Sequence, residues 1–389
     1  MNILFISSDT NPFGLIGNGD AQRTRLLLRA CAKLGSVDFV TFQDNAVSDM
    51  DHVQVIHTGT VNDALPRRNR LAKWASIMPW GGLQSLFPVA PNREAVIDNI
   101  IDNGHYDFIL SRYLFRTLPC GLLKYSERLV IDADDDLAFF FLNQINGQSN
   151  ISQKSRLRLA AAKARWLTPA TVKKVHTVFF SNQHTAMRNK GVHLPNIPFQ
   201  TETCPDADFS TTHRRILFVG HLDYPPNRDG LNHFLKHVYT PLATTMPHLE
   251  IHIVGKLNDQ DTADCWKQYP GVRLTGFVDD LKEEYTQAHV VVAPIYRCGG
   301  TNIKLLESMQ MNRCCITTDD ALSHLAPHFE NFTDIIGIHS DQEYIESLRR
   351  MLTSSEANII IARNGYAKMQ KYYSFDTFAT IVANALTCR

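Results

Sequence analysis

The sequence predicts an α/β protein with two doubly wound domains in tandem. At 389 residues the chain is too long for one ordinary core. Short apolar runs alternate with helical patterns, which is typical of parallel strands that are covered on both faces. This alternation starts again at Arg215, after the polar stretch QTETCPDADFSTTHRR at 200–215. We therefore expect an N-terminal domain at 1–205, a C-terminal domain at 206–373 and a last helix, at about 374–389, that can pack back on the first domain.

Each predicted strand is a short, continuous apolar run bounded by polar or turn-forming residues. In the first half these runs lie at 2–7, 37–42, 106–112, 128–134 and 175–181. In the second half they lie at 215–220, 250–255, 272–277, 289–295 and 314–319. Helical spacing predicts helices at 21–35, near 230–239 and at 375–387, and Gly35 is the expected stop of the first helix.

Composition excludes several classes of protein. Apolar residues make up 44% and charged residues 20% of the chain, as expected of a soluble globular protein. Residues 1–205 carry a net charge of +5 and residues 206–389 a net charge of −5. The start, MNILFISSDTNP, lacks the basic region of a signal peptide, and no apolar run approaches the ~20 residues of a membrane-spanning helix. The eight cysteines show neither zinc spacing nor a disulfide framework, so we expect a cytoplasmic protein with reduced thiols.

A basic segment lies in the first half, at 152–174, and it contains no acidic residue. Its seven cations are Lys154, Arg156, Arg158, Lys163, Arg165, Lys173 and Lys174. The segment is a solvated helix face, or it is a surface for an anionic lipid or a polyanionic acceptor. A peripheral contact with the inner face of a membrane is therefore one expectation. A nucleic-acid partner is not predicted, because no recognition motif is present and only Trp166 interleaves the cations.

The stretch CGGTNIKLLESMQMNRCCITTDD, at 298–320, follows the predicted strand at 289–295. Its two glycines allow close backbone approach, and the N–H groups at a helix start lack helical partners and can face an anion. Lys304 adds a positive charge, and Glu307, three residues later, lies on the same side of the helix. A carboxylate in that position can accept both hydroxyls of a ribose. Spacing alone is equally compatible with a glycine-rich turn and a surface ion pair.

This stretch resembles the donor-site segment of retaining GT-B glycosyltransferases of family 4, whose pattern runs roughly G-G-T-x-x-K-x-L-E-A-M-A-x-G-x-P-V-V-x-T. The match is good from Gly299 to Glu307 and looser at 312–315, where the family prefers Gly and Pro. Many members carry a second glutamate eight positions before the ribose-binding one, and here that position is Gly299. The glutamate pair is therefore incomplete. The resemblance implies donor contacts at Gly299, Gly300, Thr301, Asn302 and Glu307.

Other stretches agree with the same family in order and spacing, over nearly the whole chain. ILFVGHLDYPPNRDGLNHFL, at 216–235, resembles the first strand of its nucleotide domain, and VRLTGFVDD, at 272–280, resembles the segment that holds the base. LFISSDTNPFGLIGNGDAQRTRLLLRACAKLG, at 4–35, resembles the N-terminal strand, loop and helix on the acceptor side. The further donor contacts that these segments imply are Gly220, His221, Asn227 and Arg228 for the phosphates or the sugar, and Gly276, Phe277 and Val278 for the base. A lone histidine such as His221 more often has a structural role.

The loop GNGDAQ, at 17–22, lacks the third glycine of a dinucleotide fingerprint. We interpret it as a loop that lets an acceptor sugar or phosphate approach the backbone, with Arg23 as a charge partner. An ordinary helix start with Asp20 as its N-cap is the alternative. The predicted acceptor contacts are Gly17, Asn18, Gly19 and Arg23.

Four acids crowd one predicted strand end, in VIDADDDLAFFF at 130–141. They could bind a metal, as in GT-A glycosyltransferases, or stabilise a helix N-terminus. The resemblance implies instead an acidic strand end at which Asp135 orients the acceptor hydroxyl or takes its proton. Because the second half already supplies a phosphate site that needs no metal, neither a metal site nor a cofactor is predicted.

The resemblance implies a GT-B protein, with two doubly wound Rossmann-like domains facing across a cleft. It implies a hexosyltransferase-type enzyme of polysaccharide biosynthesis that moves a sugar, with retention, from a UDP- or GDP-sugar to a glycan or lipid-linked acceptor. The predicted catalytic residues are Asp135, Lys304 and Arg228, the last two as stabilisers of the leaving diphosphate. The alternatives are a nucleotide-sugar epimerase of the same fold and a non-catalytic nucleotide-sugar-binding protein.

Overall fold

The computed structural model describes residues 1–13, 19–61, 70–78, 82–145, 150–199, 202–278, 280–296, 302–325 and 328–387. It divides the chain into two compact units. The first unit contains residues 1–196 together with 375–389, and the second contains residues 197–374.

The first unit is an α/β unit in which strands and helices alternate. Its strands are β1 (Asn2–Ile6), β2 (Ser36–Val40), β3 (Val53–His57), β4 (Phe108–Arg112), β5 (Leu129–Asp134), β6 (Thr177–Phe180) and β7 (Val192–His193). Its first seven helices are α1 (Gly19–Ala32), α2 (Arg70–Ala75), α3 (Pro91–Asn103), α4 (Leu114–Thr117), α5 (Leu137–Asn143), α6 (Ile151–Val172) and α7 (Gln183–Asn189).

The second unit repeats this plan. Its strands are β8 (Arg214–Val219), β9 (Leu249–Val254), β10 (Val272–Gly276), β11 (Val290–Ala293), β12 (Cys314–Thr318) and β13 (Ile336–Ile338). Its helices are α8 (Pro225–Phe234), α9 (Thr240–Ala243), α10 (Gln260–Lys267), α11 (Lys282–Gln287), α12 (Ile303–Gln310), α13 (Asp319–Ser323), α14 (Asp341–Thr353) and α15 (Ser355–Tyr373). The last helix of the chain, α16 (Phe375–Thr387), belongs to the first unit.

Both sheets are parallel and have the same strand order. The first runs β3-β2-β1-β4-β5-β6-β7 and the second runs β10-β9-β8-β11-β12-β13. In each sheet the order reverses once, between the first and fourth strands of the unit, which is the doubly wound Rossmann arrangement. Central strands such as β11 and β12 are buried along their whole length, because helices cover both faces.

Local sequence explains where several helices begin. The side chain of Asn182 accepts a hydrogen bond from the Thr185 amide at the start of α7. Ser340 caps α14 and Ser354 caps α15 in the same way. Each cap satisfies an amide that has no partner within its helix.

The last helix packs against α1. Phe378, Val382 and Leu386 are buried on its inner side. The Ala385 carbonyl accepts a hydrogen bond from Nε2 of His176, at 3.1 Å. The Arg29 guanidinium lies 4.2 Å from the centroid of the Phe375 ring. These contacts place the end of the chain in the first unit.

The two units divide nine residues before the boundary that the sequence suggests at 205/206. Residues 202–206 pack on the second unit, which moves the division to 196/197. Cys204 is buried beside Met311, and the Pro205 carbonyl accepts a hydrogen bond of 2.6 Å from the Arg313 guanidinium. The polar composition of this segment therefore does not make it a free linker.

All ten predicted strands are present within two residues of their predicted ends. Three further strands were not predicted, because β3 is an edge strand with alternating exposure and β7 and β13 contain only two and three residues. The helix predicted near 230–239 starts earlier, at Pro225, and passes into a π-helical turn at Leu235–Tyr239. None of the helices within the described ranges is both long and apolar enough to cross a bilayer.

Candidate donor and acceptor sites at the sheet edges

The candidate donor site lies at the carboxyl edge of the second sheet, where strand order reverses between β8 and β11. Ligands of doubly wound sheets bind beyond the strand ends at such a reversal. Gly220 follows β8 directly, and α12 follows the segment after β11. The described part of this segment ends at Tyr296, so the predicted contacts Gly299, Gly300 and Thr301 lie outside the described residues. Asn302 occupies the N-cap position of α12.

The backbone at Gly220 is closely approached by two neighbouring side chains. A Cβ atom at this position would lie 2.8 Å from Nζ of Lys304 and 3.2 Å from Nδ2 of Asn227. On the adjacent strand end, Gly255 has φ +147°, and its Cβ atom would lie 1.8 Å from the Gly220 carbonyl oxygen. Only glycine fits such a position without moving the backbone. The two glycines therefore bring the backbone and the lysine together.

Lys304 is held over this turn by one side chain and one ring. Its amine donates a hydrogen bond of 2.5 Å to Oδ1 of Asn227 and lies 5.1 Å from the centroid of the Phe218 ring. The Asn227 amide in turn donates a hydrogen bond of 2.8 Å to the His221 carbonyl. Loss of hydration lowers the pKa of Lys304 to about 8, although the charge of Glu307 opposes this shift. A cation that is poorly hydrated and has few partners is suited to bind an anion.

Glu307 lies one turn further along α12, on the side of Lys304. Within the part of the chain that the structure describes, its carboxylate accepts no hydrogen bond. Burial raises the pKa of Glu307 to about 7, while the charge of Lys304 opposes the shift. Both side chains keep some exposed surface and can reach a ligand. The surface ion pair allowed by the spacing is not formed, since the two groups share no contact within 4 Å.

The remaining predicted donor residues are less directly connected to Lys304. The guanidinium of Arg228 lies 3.7 Å from the Asp259 carboxylate, and the His221 side chain is exposed. Gly276 has φ +80° with open space beside it, Phe277 is 65% exposed, and Val278 packs on the cluster around Cys204. The structure thus brings together Gly220, Asn227, Lys304 and Glu307 with the His221 carbonyl. The roles predicted for Arg228 and for 276–278 stay predictions.

The carboxyl edge of the first sheet is filled by a buried ion network around Asp132 on β5. Arg23 of α1 donates two hydrogen bonds to this carboxylate, at 2.9 and 2.7 Å. Arg112 of β4 donates a further hydrogen bond to it. All three side chains are at most 3% exposed. The two guanidinium groups hold the pKa of Asp132 below its ordinary value against the effect of burial, which alone would raise it.

Arg23 is fully engaged within the first unit, which the sequence did not predict. Besides Asp132, its guanidinium donates to Oδ1 of Asn196 at 2.8 Å and to the carbonyls of Leu194 and Pro195 at 3.0 and 3.3 Å. No N–H group remains for a ligand. The structure therefore gives Arg23 a structural role and offers no support for its predicted acceptor contact.

The loop expected to approach an acceptor is described only at its end. Gly17 and Asn18 lie outside the described residues, and Gly19 is the exposed first residue of α1. The alternative interpretation made Asp20 the N-cap of this helix. Asp20 is not the N-cap, because it lies inside the first turn of α1. Its carboxylate accepts hydrogen bonds from Thr10 at 2.7 Å, Arg112 at 2.9 Å and Arg116 at 3.2 Å. This carboxylate joins the Asp132 network.

Asp135 borders a pocket of about 360 Å³ at the same sheet edge. Aromatic side chains form much of its wall, and the Phe115 and Phe140 rings stack with centroids 4.3 Å apart. Asp135 exposes much of its surface, but its carboxyl group is poorly hydrated. This reduced hydration, followed by the charge of Asp134, raises the pKa of the carboxyl to about 6. A carboxyl group with this pKa beside a pocket can accept a proton near neutral pH.

The neighbouring acids have separate structural roles. Asp136 accepts a hydrogen bond from the Ala138 amide at the start of α5 and pairs with Arg188, as the helix-start alternative predicted. Asp132 is sequestered between arginines. No group of three or more metal-ligating His, Cys, Asp or Glu side chains occurs within the described ranges.

Part of the chain matches a known protein family. Residues 213–354 match the family model Glycosyl transferases group 1. This match covers most of the second unit and less than half of the chain. No curated protein sequence matches the chain.

Solved structures resemble the chain over its full length. Sucrose-phosphate synthase from Thermosynechococcus elongatus aligns with a TM-score of 0.68 at 15% identity, over 98% of this chain and 97% of that one. HepE of Anabaena, in complex with UDP, aligns with a TM-score of 0.63 at 15% identity over 100% of both chains. WaaG, a glycosyltransferase involved in lipopolysaccharide biosynthesis, aligns with a TM-score of 0.60 at 14% identity over 100% of both. The predicted GT-B fold of two Rossmann-like units is confirmed. The family match supports a relationship between this chain and the group 1 glycosyltransferases.

Arg112 and Tyr113 are the residues at these edges that the sequence interpretation missed. Arg112 binds Asp132 and Asp20, and its guanidinium lies 4.3 Å from the centroid of the Tyr113 ring, which lines the Asp135 pocket. A signal was present, because an arginine at the end of the buried run FILSR needs a buried carboxylate as partner. The sequence does not show which of the four acids at 132–136 that partner is.

Replacing Arg23 by methionine is expected to destabilise the protein by about 3–5 kcal/mol, because one partner of a buried ion network is removed. The matched control is Arg25→Met, two residues along the same helix. Arg25 forms a partly exposed pair with Asp49 at 2.8 Å, so its loss is expected to cost about 0–1 kcal/mol. Urea unfolding followed by circular dichroism measures both. Equal stabilities of the two variants would contradict a structural role for Arg23.

Proposed function

We propose that the protein is a glycosyltransferase that moves a sugar from a nucleotide-sugar donor to a hydroxyl group of a glycan or lipid-linked acceptor. The observation that carries this proposal is the poorly hydrated Lys304, hydrogen-bonded to Asn227, with Glu307 one turn further along α12, at the strand-order reversal of the second sheet. Among the described residues, Glu307 accepts no hydrogen bond. The family match covers this same unit. The UDP and UDP-glucose complexes of the Anabaena neighbour support a UDP-linked donor in preference to a GDP-linked one.

The geometry suggests how the donor is held. The diphosphate lies against the backbone of Gly220, where no side chain intervenes, and pairs with the Lys304 amine. Asn227 positions that amine through its 2.5 Å hydrogen bond. The Glu307 carboxylate accepts the two ribose hydroxyls. Negative charge that grows on the leaving diphosphate is then stabilised by a fixed cation in a site of reduced hydration.

The transfer breaks the bond between the anomeric carbon and the phosphate oxygen and forms one between that carbon and the acceptor oxygen. The products are the glycoside, the nucleoside diphosphate and the proton of the acceptor hydroxyl. In this proposal Asp135 orients the hydroxyl and receives its proton, which its raised pKa allows. Retention of the anomeric configuration follows from the resemblance to family 4 and belongs to the same proposal.

A non-catalytic nucleotide-sugar-binding protein is the second candidate, because Gly299 stands where many family members carry a glutamate. Incubation with a panel of nucleotide sugars distinguishes it from the enzyme. Slow release of UDP or GDP without an acceptor indicates a transferase, release of a rearranged free sugar indicates an epimerase, and binding without turnover indicates a sensor.

Lys304→Ala and Glu307→Ala are each expected to weaken UDP binding by about 10- to 100-fold, the range for losing a hydrogen bond to a charged group. Isothermal titration calorimetry measures this directly. The controls Lys267→Ala and Glu283→Ala remove exposed side chains of the same charge from the same unit and should leave the affinity unchanged. Wild-type affinity in both site variants would remove the assignment of the donor site.

UDP affinity is expected to be highest between about pH 7 and pH 8. Below this range Glu307, with its pKa of about 7, becomes protonated and accepts ribose hydroxyls less well. Above it Lys304, with its pKa of about 8, loses its charge. Titrations of Lys304→Arg should lose the alkaline decline, because arginine stays charged, and Glu307→Gln should lose the part of the acid decline that comes from the carboxyl. Phosphate protonation near pH 6 affects all three proteins alike. Identical profiles for all three proteins would contradict the assignment.

Transfer is expected to proceed without a divalent metal, because the Lys304 amine supplies the positive charge at the phosphates. The measurement is product formation and UDP affinity in the presence and absence of EDTA. A loss of activity in EDTA that Mn²⁺ or Mg²⁺ restores would show that a metal takes part.

A further inference from the structure

Helices α5 and α6 of the first unit carry an unusual number of exposed apolar side chains. Ile151 is 81% exposed, Trp166 67% and Leu159 46%, all on α6. Leu142 and Phe139 of α5 are 39% and 38% exposed. These five residues, together with Arg158 and Arg165, define the α5–α6 surface.

The exposed residues of α6 form two adjacent rows. Leu159 and Trp166 lie seven residues apart, which places them on one stripe of an α-helix. Arg158 and Arg165 each precede a member of that stripe by one residue and form the neighbouring row, in line with Ile151, which lies seven residues before Arg158. Apolar and cationic side chains therefore run in parallel along the same exposed face.

A groove of about 490 Å³ separates α5 from α6 on this surface. Small side chains of α6, Ala161 and Ala162, line it together with Leu142 of α5. Ala138 of α5, Arg158, Arg165 and Trp166 complete its lining, so two guanidinium groups and an indole border an apolar depression. The depression can hold an apolar chain while its border contacts anionic groups.

The cations of this surface are not neutralised by the protein itself. No Asp or Glu occurs between Asp136 and Glu202. Among the residues that the structure describes, neither Arg158 nor Arg165 forms an ion pair. Elsewhere in the unit an exposed guanidinium group does so, as Arg188 does with Asp136. The α5–α6 surface therefore presents uncompensated positive charge.

Lys163 does not belong to this surface, although it lies in the same basic segment of the sequence. Its amine is buried and donates hydrogen bonds to the Ser76 carbonyl at 2.9 Å, the Met78 carbonyl at 2.6 Å and Oγ of Ser85 at 2.7 Å. These hydrogen bonds attach α6 to the segment at 76–85. This corrects the expectation of one uniform basic face.

We propose that the α5–α6 surface docks on a bilayer that contains anionic lipids. Such a bilayer supplies both partners that the surface lacks, since indole and aliphatic side chains enter the headgroup region while arginines pair with phosphates. A soluble polyanion would neutralise the cations but leave Trp166 and Ile151 in water. A symmetric contact with a second copy would place like charges against each other. This proposal does not rest on sugar transfer.

Co-sedimentation of the full chain with vesicles of phosphatidylcholine, with and without phosphatidylglycerol, tests the proposal. The wild-type protein is expected to bind only the anionic vesicles. Arg158→Glu/Arg165→Glu is expected to bind them at least about tenfold more weakly, since each charge near such a surface contributes about 1 kcal/mol to binding. Trp166→Ala/Ile151→Ser is expected to bind several-fold more weakly. The control Lys236→Glu/Lys267→Glu makes the same charge reversal at two exposed lysines of the second unit and should bind as the wild type does.

Three outcomes would overturn the proposal. The first is unchanged vesicle binding by both surface variants. The second is a polyanion site. It would be indicated if the wild-type protein binds soluble dextran sulfate, the arginine variant does not, and the apolar variant still binds vesicles as the wild type does. The third is a dimer, seen by light scattering, that Trp166→Ala dissociates. Circular dichroism and thermal unfolding of every variant show that the variants are folded, and UDP affinity keeps a failure of the donor site separate from a failure of docking.

Discussion

The hydrogen bond between Lys304 and Asn227 above Gly220 is the interaction on which the candidate donor site depends. It needs a strand end without a side chain, a second glycine at 255 that lets the backbones touch, and a helix that begins beyond the neighbouring strand. Each requirement is met by a different segment of the second unit, and the parallel sheet brings them to one edge. The lysine has lost hydration and, among the described residues, hydrogen-bonds to one side chain, that of Asn227, so its positive charge can still pair with an anion.

The first unit has the same strand order, but the charged side chains at its sheet edge are paired with one another. At its edge Asp132 is bound by Arg23 and Arg112, and Asp20 by Arg112 and Arg116, so the charges are satisfied within the protein. A buried pair of this kind specifies how α1 and the central strands pack and leaves little for a ligand. What remains open there is the aromatic pocket beside Asp135. The strand order therefore determines where a ligand can bind. Whether that sheet edge binds one depends on whether its charged side chains are already paired within the protein.

Much of this organisation could be predicted from the sequence. Continuous apolar runs gave ten strands, and the restart of the alternation at Arg215 indicated the second sheet. The spacing of Lys304 and Glu307 placed both groups on one side of a helix, as the structure has them. The interpretation of Arg23 lacked support because its partners lie 109 and 173 residues away, at Asp132 and Asn196, and local sequence carries no information about such pairs. Lys163 was misjudged for the same reason, since its acceptors are carbonyl groups and a hydroxyl that precede it by 78 to 87 residues.

Helix α5 lies between the Asp135 pocket and the α5–α6 surface and contributes side chains to both. Leu137, Phe139 and Phe140 line the pocket of Asp135, while Leu142, less than one turn later, lines the groove beside α6. A helix of seven residues cannot contact a bilayer along one side without bringing its other side close to the headgroups, because its diameter is only about 10 Å. If the protein transfers a sugar as proposed, an acceptor anchored in that bilayer needs little reach to place a hydroxyl at Asp135. Under these two proposals, the aromatic wall of the pocket and the absence of acids on α5 and α6 favour an acceptor that arrives from a lipid surface over one that arrives from water.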